Sequence, residues 1–569
     1  MTQTVPAGRE LQASAWWRDA VVYQIYPRSF ADSDGDGVGD LQGIIAHLDH
    51  LVRLGVDVVW LSPIYASPQA DNGYDISDYR AIDPVFGSLD DFDELVGAMH
   101  ARGLRLVMDL VVNHTSDEHP WFVESASGPD SAKRDWYWWR EARPGTQPGS
   151  PGAEPNNWRA VFSGPAWTFD PASGEYYLHL FARKQPDLNW ENPAVRRAIH
   201  DIMRWWLDRG VDGFRMDVIN FISKVPELPD APSRPGESLA DGEAFYNCGP
   251  RLHEYLQEMH REVFADRPEH VLTIGEMPGV DLANALLATD PDRRELDMVF
   301  QFEHVSLDHG ADGKWQRRPL SSDELADTFE RWQQGLAERG WNSLYWNNHD
   351  QPRAVSRFGN DREYWRESAT ALAAVLHLQK GTPFVYQGEE LGMTNMPFQE
   401  LGQLRDIESL NYYADALAAG TDEATAFGQL RWAGRDNTRT PFQWDDGPQA
   451  GFTTGRGWLD VNPNHEWLNA AAQVGVAGSV FEFYRQLIAL RHSDPVVVEG
   501  DFERIDSPGG IFAYARVLGE QKLTVLANLS DTPGPAGTTP DAPGTLVLRN
   551  VEGSLRDALA PWEVRVFRT

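Results

Sequence analysis

"NPAVRRAIHDIMRWWLDRG", residues 192–210, runs directly into "VDGFRMDV", residues 211–218. Asn192 is placed to cap a helix, and Pro193 takes the first helical position, where its missing N–H costs nothing. Gly210 stops the helix, and a short apolar run follows that ends on Arg215 and Asp217. The same order recurs. "SLDDFDELVGAMHARG", 88–103, has Ser88 as N-cap and Leu89, Phe92, Leu95, Val96 and Met99 at helical spacing before Gly103, and "LRLVMDLVVNH" comes next. "IIAHLDHLVRLG" precedes "VDVVWLSPIY", and "ERWQQGLAERG" precedes "WNSLYWNNHD". With "AVVYQIYPRSF", "VLTIGEM", "MVFQFEH" and "PFVYQGEEL", this makes eight candidate strands, most of them apolar throughout as strands buried on both faces are. Strands of that kind alternating with helices predict an α/β fold, a (β/α)8 TIM barrel.

The repeat is uneven at one place. Gly55 and Gly103 lie 48 residues apart, whereas Gly210 comes 107 residues after Gly103. The extra length falls in a Trp-, Pro- and Gly-rich stretch, which predicts an inserted subdomain at 115–186 after the third strand. The barrel then occupies 1–114 and 187–483, with a second irregular stretch at about 390–475 that contains "GRDNTRTPFQWDDG". From 484 to 569 the pattern changes to short strands between turns: "PVVVEGDFERI", "GIFAYARV", "KLTVLANLS", "TLVLRN" and "EVRVFR". They predict a C-terminal antiparallel β-sandwich domain.

Composition narrows the partners. A formal net charge of -35 opposes nucleic-acid backbones and anionic lipid surfaces, which are bound through clustered Lys and Arg. No run approaches the roughly 20 apolar residues that span a bilayer. "MTQTVPAGRELQASAWWRDA" lacks the basic-then-apolar order of a secretory leader, and the single Cys248 has no partner for an internal disulfide. The expectation is a cytoplasmic enzyme, a monomer or weak homo-oligomer, acting on a neutral small substrate with no organic cofactor.

In a barrel the chemistry gathers where strands end at the C-terminal rim. Asp217 ends the fourth strand, Glu276 the fifth and Asp350 the seventh, so three acids point into one mouth. One ionised and one protonated carboxyl flanking a bond are what glycoside hydrolysis requires, because the transition state is an oxocarbenium ion with a departing oxygen. Arg215 stands two residues before Asp217, on the same strand face, and is placed to hold it ionised. His114 and His349 sit beside the acids as donors to sugar hydroxyls.

These residues resemble the α-amylase family of glycoside hydrolases, and closely its oligo-1,6-glucosidase and dextran-glucosidase branch. The likeness rests on "DLVVNHTSDEH" (109–119), "GFRMDVINFISKV" (213–225), "IGEMPGV" (274–280) and "WNSLYWNNHDQPRAVSRFGND" (341–361), and runs over nearly the whole chain. It implies Asp217 as nucleophile, Glu276 as acid/base, and Asp350 as the acid that grips and distorts the sugar ring. It further implies glucose binding by His114, Arg215 and His349, a pocket end closed by Asp71 and Tyr74 of "DNGYD", and Arg439 as the salt-bridge partner of Asp71. A closed end implies an exo-acting, retaining enzyme whose carboxyl pair stands about 5–5.5 Å apart. "QPDLNW", with Gln185, is similar to the glucosidase-type motif near the end of the insertion. In this branch Val after the nucleophile, here Val218, goes with α-1,6 links, and Ala, Gly or Thr with α-1,4. The physical account is steric, since a branched side chain narrows the side where the two linkages leave at different angles.

"DSDGDGVGD", 32–40, sets Asp32, Asp34, Asp36 and Asp40 at alternating positions around glycines, with the Val38 carbonyl as a further donor. Hard divalent ions collect oxygen ligands in this way. The loop resembles the one that binds structural Ca2+ or Mg2+ in this branch. Three other readings stay open. The same scaffold supports an α-1,4-glucosidase, a transglucosylase or a sucrose isomerase; Gln351 is closer to the hydrolases, while the pair Arg353 and Arg357 leaves sucrose chemistry open. A non-catalytic, transporter-associated relative predicts a membrane anchor and a broken acid set. A sugar-binding module without turnover predicts that Asp217 is dispensable.

Overall fold

The computed structural model describes residues 15–311, 313–507, 510–535, 544–553 and 558–569. The first fourteen residues, most of the stretch read for a leader, lie outside the described residues.

All eight expected barrel strands are present: β1 (Val22–Ile25), β2 (Val58–Leu61), β3 (Arg105–Val111), β4 (Gly213–Asp217), β5 (Leu272–Glu276), β6 (Met298–Phe300), β7 (Ser343–Leu344) and β8 (Thr382–Tyr386). They pair in parallel in the order β6-β5-β4-β3-β2-β1-β8-β7, and a parallel bridge from Val299 to Asn342 brings the two ends of the sheet together. Residues of β1, β2, β4, β5 and β8 are buried throughout, as strands wrapped by helices must be.

The helices start where their caps dictate. In α1 (Leu41–Leu54) Asp40 accepts the Gly43 N–H at 2.6 Å, and Gly55 ends the helix at φ 95°. A capping box joins Ser88 and Asp91 at the start of α2 (Leu89–His100). Asn192 accepts the Ala194 N–H at 2.8 Å to open α3 (Pro193–Asp208), which buries Val195, Ile199, Ile202, Met203, Trp206 and Leu207 against the barrel. Each such side chain contributes roughly 1.5–3 kcal/mol on burial.

The stretch between β3 and α3 folds into a helix, Pro120–Ala126, and a three-stranded antiparallel sheet of Trp139–Arg140, Glu175–Leu178 and Trp167–Asp170. An ion pair with no exposure, Lys224 to Asp187 at 2.8 Å, ties it to the segment after β4. The region after β8, irregular by sequence, contains helices, the two longest being Ile407–Ala418 and Glu423–Ala433. Asp406 and Asp422 open them by accepting backbone N–H groups.

The C-terminal strands β9 (Asp501–Arg504), β10 (Ile511–Leu518), β11 (Gln521–Asn528), β12 (Thr545–Arg549) and β13 (Val564–Arg568) form one antiparallel sheet in the order β9-β10-β11-β13-β12. On one face the Tyr514 hydroxyl donates to the Val375 carbonyl of the helix Trp365–His377 at 2.9 Å. Ile511, Ala513 and Leu526 on the other face pack on Leu559 of a two-stranded pair. "PVVV", read as strand, is instead the helix Pro495–Glu499. Asp494 accepts the Val496 N–H and Pro495 starts the turn, so local capping outweighs the β preference of three valines. Among the described residues no helix is long and apolar enough to cross a membrane.

Candidate active site

Strands β3, β4 and β5 end side by side, and this brings one arginine against three acids. Arg215 reaches Asp109 at 2.8 Å and Asp217 at 2.8 Å with Nη1, and Glu276 at 2.6 Å with Nη2. Asp109, the first residue of the motif at 109–119, is a site residue that the strand-end pattern does not single out. It accepts from Trp60 Nε1 and the Tyr74 hydroxyl as well, at 3.1 and 3.0 Å, and is the inner anchor of the arginine. The period-two pattern that put Arg215 and Asp217 on one face holds the signal for Asp109, whose ladder partner on β4 is Arg215.

Burial pushes the Asp217 and Glu276 carboxyls above the ordinary range, Arg215 pulls both down, and nearby negative charge raises them again: Glu276 and Asp109 beside Asp217, Asp350 and Asp109 beside Glu276. Together these leave both carboxyls above the ordinary range, so the pull of Arg215 does not outweigh burial and the neighbouring acids at either.

Val218 directly follows Asp217 in a left-handed conformation, φ 35° and ψ 43°, which a β-branched residue adopts at a cost of about 1–3 kcal/mol. Its N–H donates to Glu276 Oε2 at 3.0 Å. Val218 is one of the residues lining the cavity.

Asp350 lies across from this pair. Burial opposes its ionisation, but His349, Arg435 and Arg439 hold it well below the ordinary carboxylate range. His349 Nδ1 accepts from Gln24 Nε2 at 2.9 Å, which places the proton on Nε2, 3.1 Å from Asp350 Oδ2. Burial lowers this imidazole to about 3, so it stays neutral, stacked between Tyr74 at 5.1 Å and Tyr26 at 6.1 Å.

The far end is closed by Asp71, Tyr74, His114 and Gln185. Gln185 Nε2 donates to Asp71 Oδ2 at 3.1 Å. Asn113 Nδ2 faces His114 Nδ1 at 3.3 Å, and both Gln185 Nε2 and the Tyr74 carbonyl stand 3.2 Å from His114 Nε2. Burial lowers His114 to about 4 and lifts Asp71 to about 6 against the pull of Arg435 and Arg439.

The expected pairing of Asp71 with Arg439 is corrected. Arg435 makes that bridge, Nη2 to Asp71 Oδ1 at 2.9 Å, while Arg439 bonds Asp350 at 2.8 Å and the His349 carbonyl at 3.0 Å. Both arginines border the short helix Asp436–Arg439, one turn apart, and only the one at its start reaches Asp71. Arg435 also binds Asp350 at 3.1 Å and Asp406 at 2.6 Å. The "GRDNTRT" stretch held that signal as a second arginine four residues before the first candidate.

The result is a cavity of about 200 Å³ lined by Asp217, Glu276 and Asp350, by Asp71, Tyr74, His114 and Arg435, and by Val218, Phe162, Phe181, Phe221 and Phe302. Arg215, Gln185, His349 and Arg439 stand behind this lining. Arg353 and Arg357 are also outside it. Arg353 donates to the carbonyls of Gln387 and Thr438, and Arg357 to Asp308 and to Gln351 Oε1 at 2.6 Å. Cys248 is a half-buried free thiol raised by burial to about 12.

Away from the mouth, the carboxylates of Asp32, Asp34 and Asp40 offer oxygens within 4.8 Å of one another. Asp36 is not in that group; its Oδ1 accepts the Val38 N–H at 2.8 Å. Asp32 is lowered by hydrogen bonds from Thr453 and three backbone N–H groups, which outweigh its burial.

A family described as "Alpha amylase, catalytic domain" matches residues 24–500. The chain is 53% identical over 565 residues to an oligo-1,6-glucosidase of Parageobacillus thermoglucosidasius, covering 97% of this chain and 99% of that protein. It is 52% identical over 566 residues to another from Halalkalibacterium halodurans, covering 98% and 99%. A solved mutant isomaltulose synthase of Erwinia rhapontici NX5, in complex with sucrose, is 40% identical with a TM-score of 0.92, covering 100% of both chains. An eight-stranded parallel barrel with acids at the ends of β4 and β5, matched over nearly its full length, places this chain in the α-amylase family of glycoside hydrolases.

Proposed function

We propose that the protein is a retaining, exo-acting α-glucosidase that hydrolyses terminal α-1,6-linked glucose from short oligosaccharides such as isomaltose, with α-1,4 links as the alternative. The observation that carries this reading is the pair Asp217 and Glu276, bridged by Arg215 at the floor of a small cavity whose far end is shut by Asp71 and Arg435. A cavity of about 200 Å³ is smaller than the roughly 300–1,000 Å³ of drug-sized sites and suits one sugar ring with its link at the open side.

In this reading Asp217 attacks the anomeric carbon, the bond to the glycosidic oxygen breaks, and Glu276 hands its proton to the departing alcohol. Water then attacks the glucosyl ester, gives a proton to Glu276, and frees Asp217 and glucose. Asp350, His114 and the Asp71–Arg435 pair grip the ring, and Asp350 accepts from its hydroxyls as a permanent anion. Val218 narrows the side where the second sugar leaves. Sucrose isomerisation is the less supported reading because neither Arg353 nor Arg357 lines the cavity; Arg357 reaches it only through the lining residue Gln351.

The loop at 32–40 suits a structural Ca2+ or Mg2+, since Asp32, Asp34 and Asp40 converge as hard oxygen donors, with Asp36 and the Val38 carbonyl nearby in sequence. The unpaired Cys248 supports a cytoplasmic location.

The test is glucose release from isomaltose, maltose and sucrose side by side, with products resolved by chromatography and the anomer of fresh glucose read by NMR. A strong isomaltose preference with α-glucose first supports the proposal. Dominant maltose or sucrose turnover rejects the linkage, and β-glucose first rejects retention.

A further inference from the structure

The left-handed turn at Val218 is the strained backbone between the two candidate catalytic acids, and its consequence falls on Glu276. Oε1 of that carboxyl meets Arg215 Nη2 at 2.6 Å, and Oε2 accepts the Val218 N–H at 3.0 Å. Both donors therefore come from the end of β4, three residues apart, and the other titratable groups facing Glu276 are Asp217 on β4, Asp109 on β3, and Tyr345 and Asp350 after β7. The positive φ takes residue 218 out of the extended path of β4, and the 3₁₀ turn Ile219–Phe221 follows. Packing holds this conformation. The valine is 6% exposed and belongs to an apolar cluster with Phe221, Leu228 and Tyr246, on the insertion side of the cavity.

We propose that residue 218 positions the general acid/base through its backbone: the turn held by the packed valine aims an N–H at Glu276 and sets where in pH that carboxyl gives up its proton. This is separate from steric choice of linkage and rests on Glu276 being the acid/base. Val218 is a positioning residue, because its N–H acts on Glu276 and not on the sugar. An N–H donor favours the ionised carboxylate, so removing it makes Glu276 hold its proton longer. The limb of the pH profile on which the acid is lost then moves up.

The direct test replaces the peptide N–H at 218 by an ester oxygen, incorporating α-hydroxyisovalerate in the full chain so that the isopropyl group stays. The basic limb of kcat/KM on isomaltose is expected to rise by about one pH unit, the size of one charge-assisted hydrogen bond. Val218→Gly, made without special chemistry, frees the turn from its packing and is expected to move the limb in the same direction by a smaller amount. A basic limb at the wild-type position in both variants overturns the proposal. Glu276→Gln separates the two levels of the argument. A much larger loss on isomaltose than on 4-nitrophenyl α-glucoside, whose good leaving group needs little acid, supports the acid/base reading beneath it. Equal losses on the two substrates overturn that reading and the proposal together.

Discussion

Arg435 and Arg439 differ by one helical turn, yet one closes the pocket end and the other braces the acid beside it. Asp71 gives this a pH signature. Its carboxyl, lifted by burial to about 6, is an ion-pair partner of Arg435 only when ionised. KM for isomaltose is therefore expected to rise as pH falls through about 6, and Asp71→Asn to raise KM at all pH and flatten that dependence; steady-state kinetics across this range decide it. At Asp217 the expectation is starker. Asp217→Asn removes the proposed nucleophile but leaves the carboxamide near Arg215, so kcat is expected to fall about 10⁴-fold or more while the protein stays folded, as circular dichroism would report.

At the scale of elements, caps and stop residues made most helices readable, because a cap is a contact between residues two or three apart. The same locality explains the error at Pro495–Glu499, where the cap outweighed the valines. Loop 32–40 shows what lies beyond local reading. Gly37 adopts φ 97°, and a Cβ there would collide with the Arg456 carbonyl oxygen, more than 400 residues away in sequence. Gly37→Ala is expected to cost about 2 kcal/mol or more, read as a lowered urea midpoint with an unchanged slope. Chelation of divalent ions should likewise lower the thermal midpoint by several degrees while initial turnover at 25 °C changes less than twofold. An immediate large loss of rate would contradict a structural ion.

At the scale of the whole molecule, two buried carboxylates beside the pocket, Asp406 and Asp350, contribute stability that acid removes. Burial opposes ionisation of Asp406 and Asp350, but the facing arginines hold both well below the ordinary range, with His349 adding at Asp350. Their folded pKa values are below the unfolded value of about 3.9. The stability they supply is therefore present above that value and lost as pH falls through the depressed ones. Thermal midpoints should fall below about pH 4, and Asp406→Asn should flatten that acid arm. The same change should cost about 3 kcal/mol at neutral pH, since it leaves Arg435 and Arg439 short of a buried partner.

The sequence by itself determined the barrel, its strand order in the chain, the acids at the ends of β4 and β5 and the acidic loop before α1. All of these are written in periodicity, caps and spacing, which act over a few residues. Only the tertiary structure decided that Arg435 meets Asp71, that Asp109 anchors Arg215 from a strand 106 residues earlier, and that Val218 is bent to reach Glu276. Such contacts depend on how separate elements are brought together. A shift of one helical turn in that assembly exchanges one arginine for the other, and no pattern within either segment records it.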